Sequence, residues 1–293
     1  MNAFWAALLT TIGIYGPPKT VGSVEVYEYE VPKTEYRSGP LTMDEDFSYV
    51  RGQKRFVNPS NYGLNALPVM QEQWANRRLH LDETCNQAAP LSDRQKRALS
   101  LIFTKAEPLP DDAATWRYNY AWNLDNLVYL PGWNSAYAQS VNIAALLFAE
   151  CKTKDAAYLN LAVKAARGLT TPIASGGLLN DEKGLTFFEE YPAPNGLSPY
   201  TLNAHILSLN VLYAMADRTG DEKFRHFAEA GTATLLKLAP EYTSGKCIKY
   251  TLRENGNICH PDYDAYEVIL LNDLYQWTKD DRIRGLVERW ASK

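Results

Sequence analysis

Three times in this chain a long apolar run ends in Thr-x-Asp and a second run with helical spacing follows at once. Gly132–Cys151 meets Thr153-Lys154-Asp155 and then AAYLNLAVKAARGL. Leu202–Arg218 meets Thr219-Gly220-Asp221 and then EKFRHFAEAGTATLLKL. Tyr263–Trp277 meets Thr278-Lys279-Asp280 and then DRIRGLVERW. An Asp in this place accepts hydrogen bonds from the free N–H groups that open the next helix. Each triplet therefore predicts a helical hairpin, and a further helical pair near residues 58–105 makes four. Repeats of this kind bury their faces by stacking on one another. Hairpins linked head to tail close naturally into an inner and an outer ring. The expected fold is mainly α: an incomplete (α/α) barrel over 55–293, with β-hairpin loops at its rim, preceded by an extended, β-containing arm over 1–54.

Composition allows such a core and narrows the partners. Hydrophobic residues are 46% and charged residues 22%, as in an ordinary globular chain. The net charge of −4 argues against a nucleic-acid domain. The 19 Tyr outnumber the 9 Phe, and 7 Trp add to them. Tyr joins an apolar ring to a polar tip, which suits a cleft gripping sugar rings or a half-buried helix seam. Four Cys, at 85, 151, 247 and 259, form no CxxC pair. Cys151 reads as a plain core thiol; Cys247 and Cys259 flank a short segment and are open to bridging. The four His show no HxxxH spacing, so neither a metal nor another cofactor is expected. Residues 1–16 are apolar, but the first basic residue is Lys19. Without a positive leading region they read as a packing arm, and no segment is long enough to span a bilayer. The compartment is open, with the cytoplasm slightly favoured.

Val21–Val31 alternates as a strand does, with a phase shift near Val26 that implies a bulge or two covered faces. Tyr62, Leu64, Leu67, Met70 and Trp74 then follow helical spacing, with Pro68 placed to kink or interrupt the run. Ser92 is set to cap DRQKRALSLIFTKA.

Between the helical pairs lie 111–131, 176–192 and 241–262, rich in aromatic and charged residues. Each leads toward the first helix of a pair, so the three should gather at one rim and carry the site. Their motifs are specific. Asn58-Pro59 with Tyr62-Gly63, Gly132-Trp133-Asn134-Ser135-Ala136 with Ala138-Gln139, Phe188-Glu189-Glu190-Tyr191-Pro192, Leu202-Asn203, Tyr250-Thr251-Leu252-Arg253 and Asp262-Tyr263 occur in that order. Over about residues 55–290 the chain resembles the C-terminal domain of the D-glucuronyl C5-epimerases, which convert glucuronate to iduronate within heparan-type polysaccharides. The resemblance implies that Tyr191, Tyr250 and Tyr263 line a catalytic centre with Glu190 and Arg253. It also implies an acidic polysaccharide partner and a homodimer as the assembly. Two departures stand out. The family often has a His soon after the last Tyr, where Asp264 and Glu267 stand here, and most of the β-rich region preceding the barrel is missing.

The chemistry fits those residue types. Inverting C5 removes a proton beside a carboxylate and returns one to the opposite face. Arg253 is suited to neutralise that carboxylate by bidentate pairing. Tyr rarely ionises unaided, with a reference pKa of about 10; a nearby guanidinium favours phenolate, so Arg253 is expected to help Tyr250. Tyr250 and one of Tyr191 or Tyr263 form the expected acid/base pair, with the ring faces unassigned, and Glu190 is a base or an orienting group. Glu189, Trp116, Arg117, Trp133, Ser135, Gln139 and Asn203 are candidate substrate contacts. Arg51, Lys54 and Arg55 form a basic cluster open to an acidic chain. The competing readings are a polysaccharide lyase, which shares the first proton abstraction, and a non-catalytic glycan-binding protein.

Overall fold

The computed structural model describes residues 19–21, 24–28, 42–67, 90–124, 127–193, 196–244, 247–253 and 261–292. The expectations for residues 1–16, for Met70 and Trp74, and for Cys85 and Cys259 lie outside them.

Eight α-helices occur among the described residues: α1 Ser60–Ala66, α2 Asp93–Thr104, α3 Ala136–Thr153, α4 Ala156–Thr170, α5 Leu202–Thr219, α6 Glu222–Tyr242, α7 Pro261–Thr278 and α8 Asp281–Ala291. They pack as the hairpins α1/α2, α3/α4, α5/α6 and α7/α8, and α1, α3, α5 and α7 lie side by side in that order. This is the inner and outer arrangement expected of an (α/α) barrel. The inner helices owe their position to composition. Every residue of α3 from Ala136 to Glu150 and of α5 from Leu202 to Ala216 is buried. A helix that is apolar all round has no face to show water. Some polar residues in these runs are matched: Ser140 and Ser208 share a hydrogen bond of 2.9 Å, and Asn210 Nδ2 donates to Leu270 O at 3.0 Å, whereas Asn142 has no partner on either amide atom.

The Thr-x-Asp triplets build one turn three times. Asp155, Asp221 and Asp280 accept from the N–H of Ala157, Lys223 and Arg282 at 2.9, 3.0 and 2.8 Å. The Thr hydroxyls accept from the Asp N–H groups at 3.2, 3.2 and 3.3 Å. The middle residues Lys154, Gly220 and Lys279 all take the left-handed conformation, with φ of 58°, 70° and 52°. Only the second copy places glycine, the residue suited to that conformation. Lys154→Gly is therefore expected to raise stability by about 0.5–1 kcal/mol, read as a higher midpoint in chemical denaturation.

Close approach of α1 to α3 depends on Gly63. A Cβ there would lie 2.6 Å from the carbonyl carbon and oxygen of Val141 and 2.7 Å from Asn142 Oδ1. Backbone cannot swing aside, so Gly63→Ala should force the helices apart and cost about 2 kcal/mol, read in the same assay. Helix α1 ends at Ala66, and Leu67 is extended (φ −76°, ψ 147°) as the residue before a proline prefers; Pro68 thus follows the end of the helix. Ser92 caps α2 in a reciprocal capping box with Gln95.

The strands are short and mostly local. They are β1 Lys19–Val21, β2 Val24–Glu28, β3 Thr42–Met43, β4 Tyr49–Arg51, β5 Lys54–Phe56, β6 Glu107–Leu109, β7 Ala113–Thr115, β8 Trp122–Leu124, β9 Leu127–Tyr129, β10 Leu179–Asn180, β11 Phe187–Phe188, β12 Thr243–Ser244 and β13 Cys247–Ile248. One strand running on from Val21 is not what forms. Val21 pairs with Val24, which makes a hairpin of β1 and β2, and β2 adds to β9 in a four-stranded sheet of order β1-β2-β9-β8. No bulge interrupts β2 at Val26, whose register with β9 runs on without a break. Within the basic cluster, Arg55 is paired with Asp44 and Asp46 at 2.5 Å each.

Cys151 is not the core thiol its apolar run suggested: it and Cys247 are disulfide-bonded. Cys151 lies half-buried in the last turn of α3, at the end of the buried run rather than within it. Whether Cys247 pairs with Cys259 falls outside the described residues. No described helix is long and apolar enough to cross a membrane.

Candidate active site

Two of the three aromatic-rich loops are anchored where α3 and α5 begin, because their carbonyls complete those helices. Glu189 O accepts from Ala136 N at 3.0 Å, and Tyr250 O accepts from Leu202 N at 3.0 Å. Each bond satisfies one of the free N–H groups that open a helix. The same bonds set Glu190 and Tyr250 at the positive ends of the two helices. A second anchor is His205 on α5. Its Nδ1 accepts from Phe188 N at 3.1 Å, so Nε2 carries the hydrogen and donates to Gly231 O at 3.1 Å. Burial drives its pKa down to about 3, which keeps the ring neutral. His205 thus ties the strand that precedes Glu189-Glu190-Tyr191 to both α5 and α6.

The hydroxyls of Tyr191 and Tyr250 are hydrogen-bonded at 3.2 Å. The rings of Tyr250 and Tyr263 meet edge to face, with centroids 5.3 Å apart. Glu190 faces Tyr250, Tyr191 and Asn203, whose polar groups favour its charge, but burial outweighs them and pushes its pKa up to about 7. All three tyrosines are raised well above 10, chiefly by burial and then by Glu190 or Glu267. Several polar atoms here have no partner: Glu190 Oε2, Asn203 Oδ1, Tyr263 Oη, Ser135 Oγ and both oxygens of Glu267. Orphaned polar groups are rare in native interiors. Their clustering between the ends of the inner helices makes this the candidate site for a polar ligand.

One wall of the site is aromatic. Trp133 stacks on Tyr118 with ring centroids 3.7 Å apart, and Tyr129 and Tyr191 each lie within 6.0 Å of Trp133. Trp133 Nε1 donates to Tyr120 O and Tyr129 Oη to Tyr191 O, so the polar edges of the rings are held as well.

Several expected contacts belong to the frame instead. Trp116 is 1% exposed, lies in the main core and donates to Ile102 O. Arg117 pairs with Glu107 and donates to Gly132 O, bracing the turn before Trp133. Gln139 spends its amide on Ala114 O and Ala165 O. Glu189 is fully buried and accepts from Asn180 Nδ2 at 3.1 Å, turned away from Glu190 toward the start of α5. Arg253 does not draw Tyr250 toward phenolate as expected: its Nη1 donates to Leu197 O at 3.0 Å, and burial and Glu190 dominate the tyrosine. Tyr129 and the Glu267 carboxyl were not singled out from sequence as site groups. Glu267 had a legible signal, since it stands four residues after Tyr263 on one helix and so shares its face.

Glu189, Glu190 and Glu267 are pushed up to about 8, 7 and 8, each first by burial. A carboxyl whose folded pKa is raised contributes stability at low pH and loses it as pH climbs through the folded value. The melting temperature should therefore fall from about pH 4.5, where the unfolded carboxyls ionise, to about pH 8, and level off above it, which a thermal scan across buffers will show.

Fold and site together define an (α/α) barrel protein with a tyrosine- and carboxyl-lined mouth. The D-glucuronyl C5-epimerase C-terminal family matches residues 110–292, and the chain belongs to that family. A D-glucuronyl C5-epimerase of Caenorhabditis elegans is 32% identical over 181 residues, which cover 56% of this chain and 29% of that protein. The match thus spans less than a third of the relative's length. Among solved structures, a GH76 α-mannanase of Bacteroides thetaiotaomicron matches with TM-score 0.52 and 14% identity over 83% of this chain and 58% of its own. A cellobiose 2-epimerase of Bacillus thermoamylovorans matches with TM-score 0.52 and 14% identity over 85% and 63%. Both establish the fold alone.

Proposed function

We propose that the chain inverts C5 of D-glucuronate units to L-iduronate within an acidic, heparosan-like polysaccharide. The observation that carries this reading is the buried cluster of Tyr191, Tyr250, Tyr263 and Glu190 in a member of this family. Tyr250 and Tyr263 are the groups for the two ring faces. Tyr191 and Tyr250 share one hydroxyl–hydroxyl bond and stand as a pair on one side, whereas Tyr263 Oη lies outside that pair and has no partner. None of the three phenols ionises readily in this setting, so a hydroxyl that takes the C5 proton must pass its own proton on. Glu190, poised near neutrality, is the acceptor on the Tyr250 side. Negative charge builds on the uronate carboxylate as C5 loses its proton. The remaining donors of Arg253 and the positive ends of α3 and α5 answer it. The Trp133–Tyr118 stack backs Tyr191 and holds its ring in place. The disulfides at Cys151 and Cys247 favour an oxidising compartment over the cytoplasm.

The test is to incubate the protein with heparosan-type polymer in D2O and follow the C5 position by NMR alongside chain length. Deuterium at C5 with intact chains supports the reading. Shortened chains with a new ultraviolet-absorbing double bond would make the protein a lyase, and no change on any uronate polymer would make it a binding protein.

A further inference from the structure

An inversion needs two proton stations, and the cluster described so far supplies a store for only one. Glu190 serves Tyr250, while Tyr263 faces the other carboxyl of the mouth. Glu267 lies one turn after Tyr263 on α7, is 0% exposed, and has no hydrogen-bond partner on either oxygen. Tyr263 Oη is unpartnered as well. The groups acting on Glu267 are Tyr263 and Asp264 from its own helix and Glu190 across the mouth, with Tyr242 of α6 also within its field. Asp264 is itself held as an acceptor for Ile248 N at 3.1 Å. Burial first, then the Glu190 and Asp264 carboxyls, raise the Glu267 pKa and outweigh the Tyr263 hydroxyl, which lowers it. A neutral carboxyl carries a donor, and here that donor faces a hydroxyl still lacking a bond. Such bonds often tighten only when substrate arrives.

Resting on the epimerase reading, we propose that Glu267 is the proton store of the second face, reloading Tyr263 as Tyr263 protonates C5. The step balances. The C5–H bond breaks and its proton goes to Tyr250, whose own hydroxyl proton passes to Glu190. The electron pair left at C5 is held by the uronate carboxyl group. On the opposite face the Tyr263 hydroxyl proton forms the new C5–H bond, and the Glu267 carboxyl proton replaces it. One turnover moves one proton from Glu267 to Glu190, and exchange with solvent must restore both before the next. The reverse reaction starts from the opposite protonation state, so the two carboxyls exchange roles with direction.

Glu267→Gln separates the two half-reactions. In D2O the variant is expected to keep solvent exchange at C5 of glucuronate within about 3-fold of the parent, while conversion to iduronate falls about 100-fold or more. Glu267→Asp, which retains an acid, is expected to recover part of the conversion. If Glu267→Gln does not fold, the same ratio is read from Tyr263→Phe, which cuts the relay at its hydroxyl. Equal loss of exchange and conversion, or loss of neither, overturns the proposal. A parent protein with no C5 exchange at all would instead sink the reading beneath it.

Discussion

Tyr250→Phe is expected to lower C5 exchange on a heparosan-type polymer by about 10²–10⁴-fold, the range a positioned acid–base group contributes. The substitution removes one oxygen and little else. The ring keeps its edge-to-face contact with Tyr263, and the Tyr250 carbonyl still completes the start of α5. The lost bond to Tyr191 is a side-chain pair at the rim and not part of the helical core. Thermal stability should therefore change little while turnover collapses. Measured together, melting temperature and deuterium uptake distinguish lost chemistry from a damaged fold. Near-parental uptake would remove Tyr250 from the reaction.

Glu190→Gln should cut turnover by a similar factor and make the protein more stable above neutral pH. The two effects have one cause. Burial holds the Glu190 pKa up at about 7. As a base it works only when ionised, so the parent rate should climb as pH rises through about 7. The folded state meanwhile loses the stability contributed by its neutral form as pH rises from about 4.5 to that value. Gln is neutral at every pH and escapes that loss. A flat rate profile at low activity, with a weaker fall in melting temperature between about pH 4.5 and pH 7, is the expected pair of results. A variant with an unchanged profile would show that Glu190 is not the group that titrates. Gains in stability bought with activity are common where a site is built from buried charge.

Much of this architecture is written locally. The Thr-x-Asp triplets state their turn in three residues, and the structure repeats it bond for bond. Inner helices are legible because α3 and α5 have no polar stripe. The gathering of the rim loops also follows, since each leads into an inner helix. What could not be read was direction. Glu189 and Glu190 are neighbours, yet one braces the frame and the other faces the mouth. Trp116 looked as suited to a sugar as Trp133, but its indole N–H is taken by Ile102 O. Arg253 is adjacent in sequence to the site and is diverted to Leu197 O. Such choices depend on which carbonyl lies within reach, and that is a property of long-range packing. The Cys151 disulfide escaped for the same reason, because an apolar run does not show where its last turn emerges.

The central claim is that separate proton stations address the two faces of one uronate ring. It is tested most directly by the label in product formed during the earliest turnovers in D2O. Two stations predict that nearly every new iduronate carries deuterium at C5, while unconverted glucuronate is still largely protiated. Iduronate that retains the original C5 proton would mean a single group carrying it across the ring, and would contradict the account.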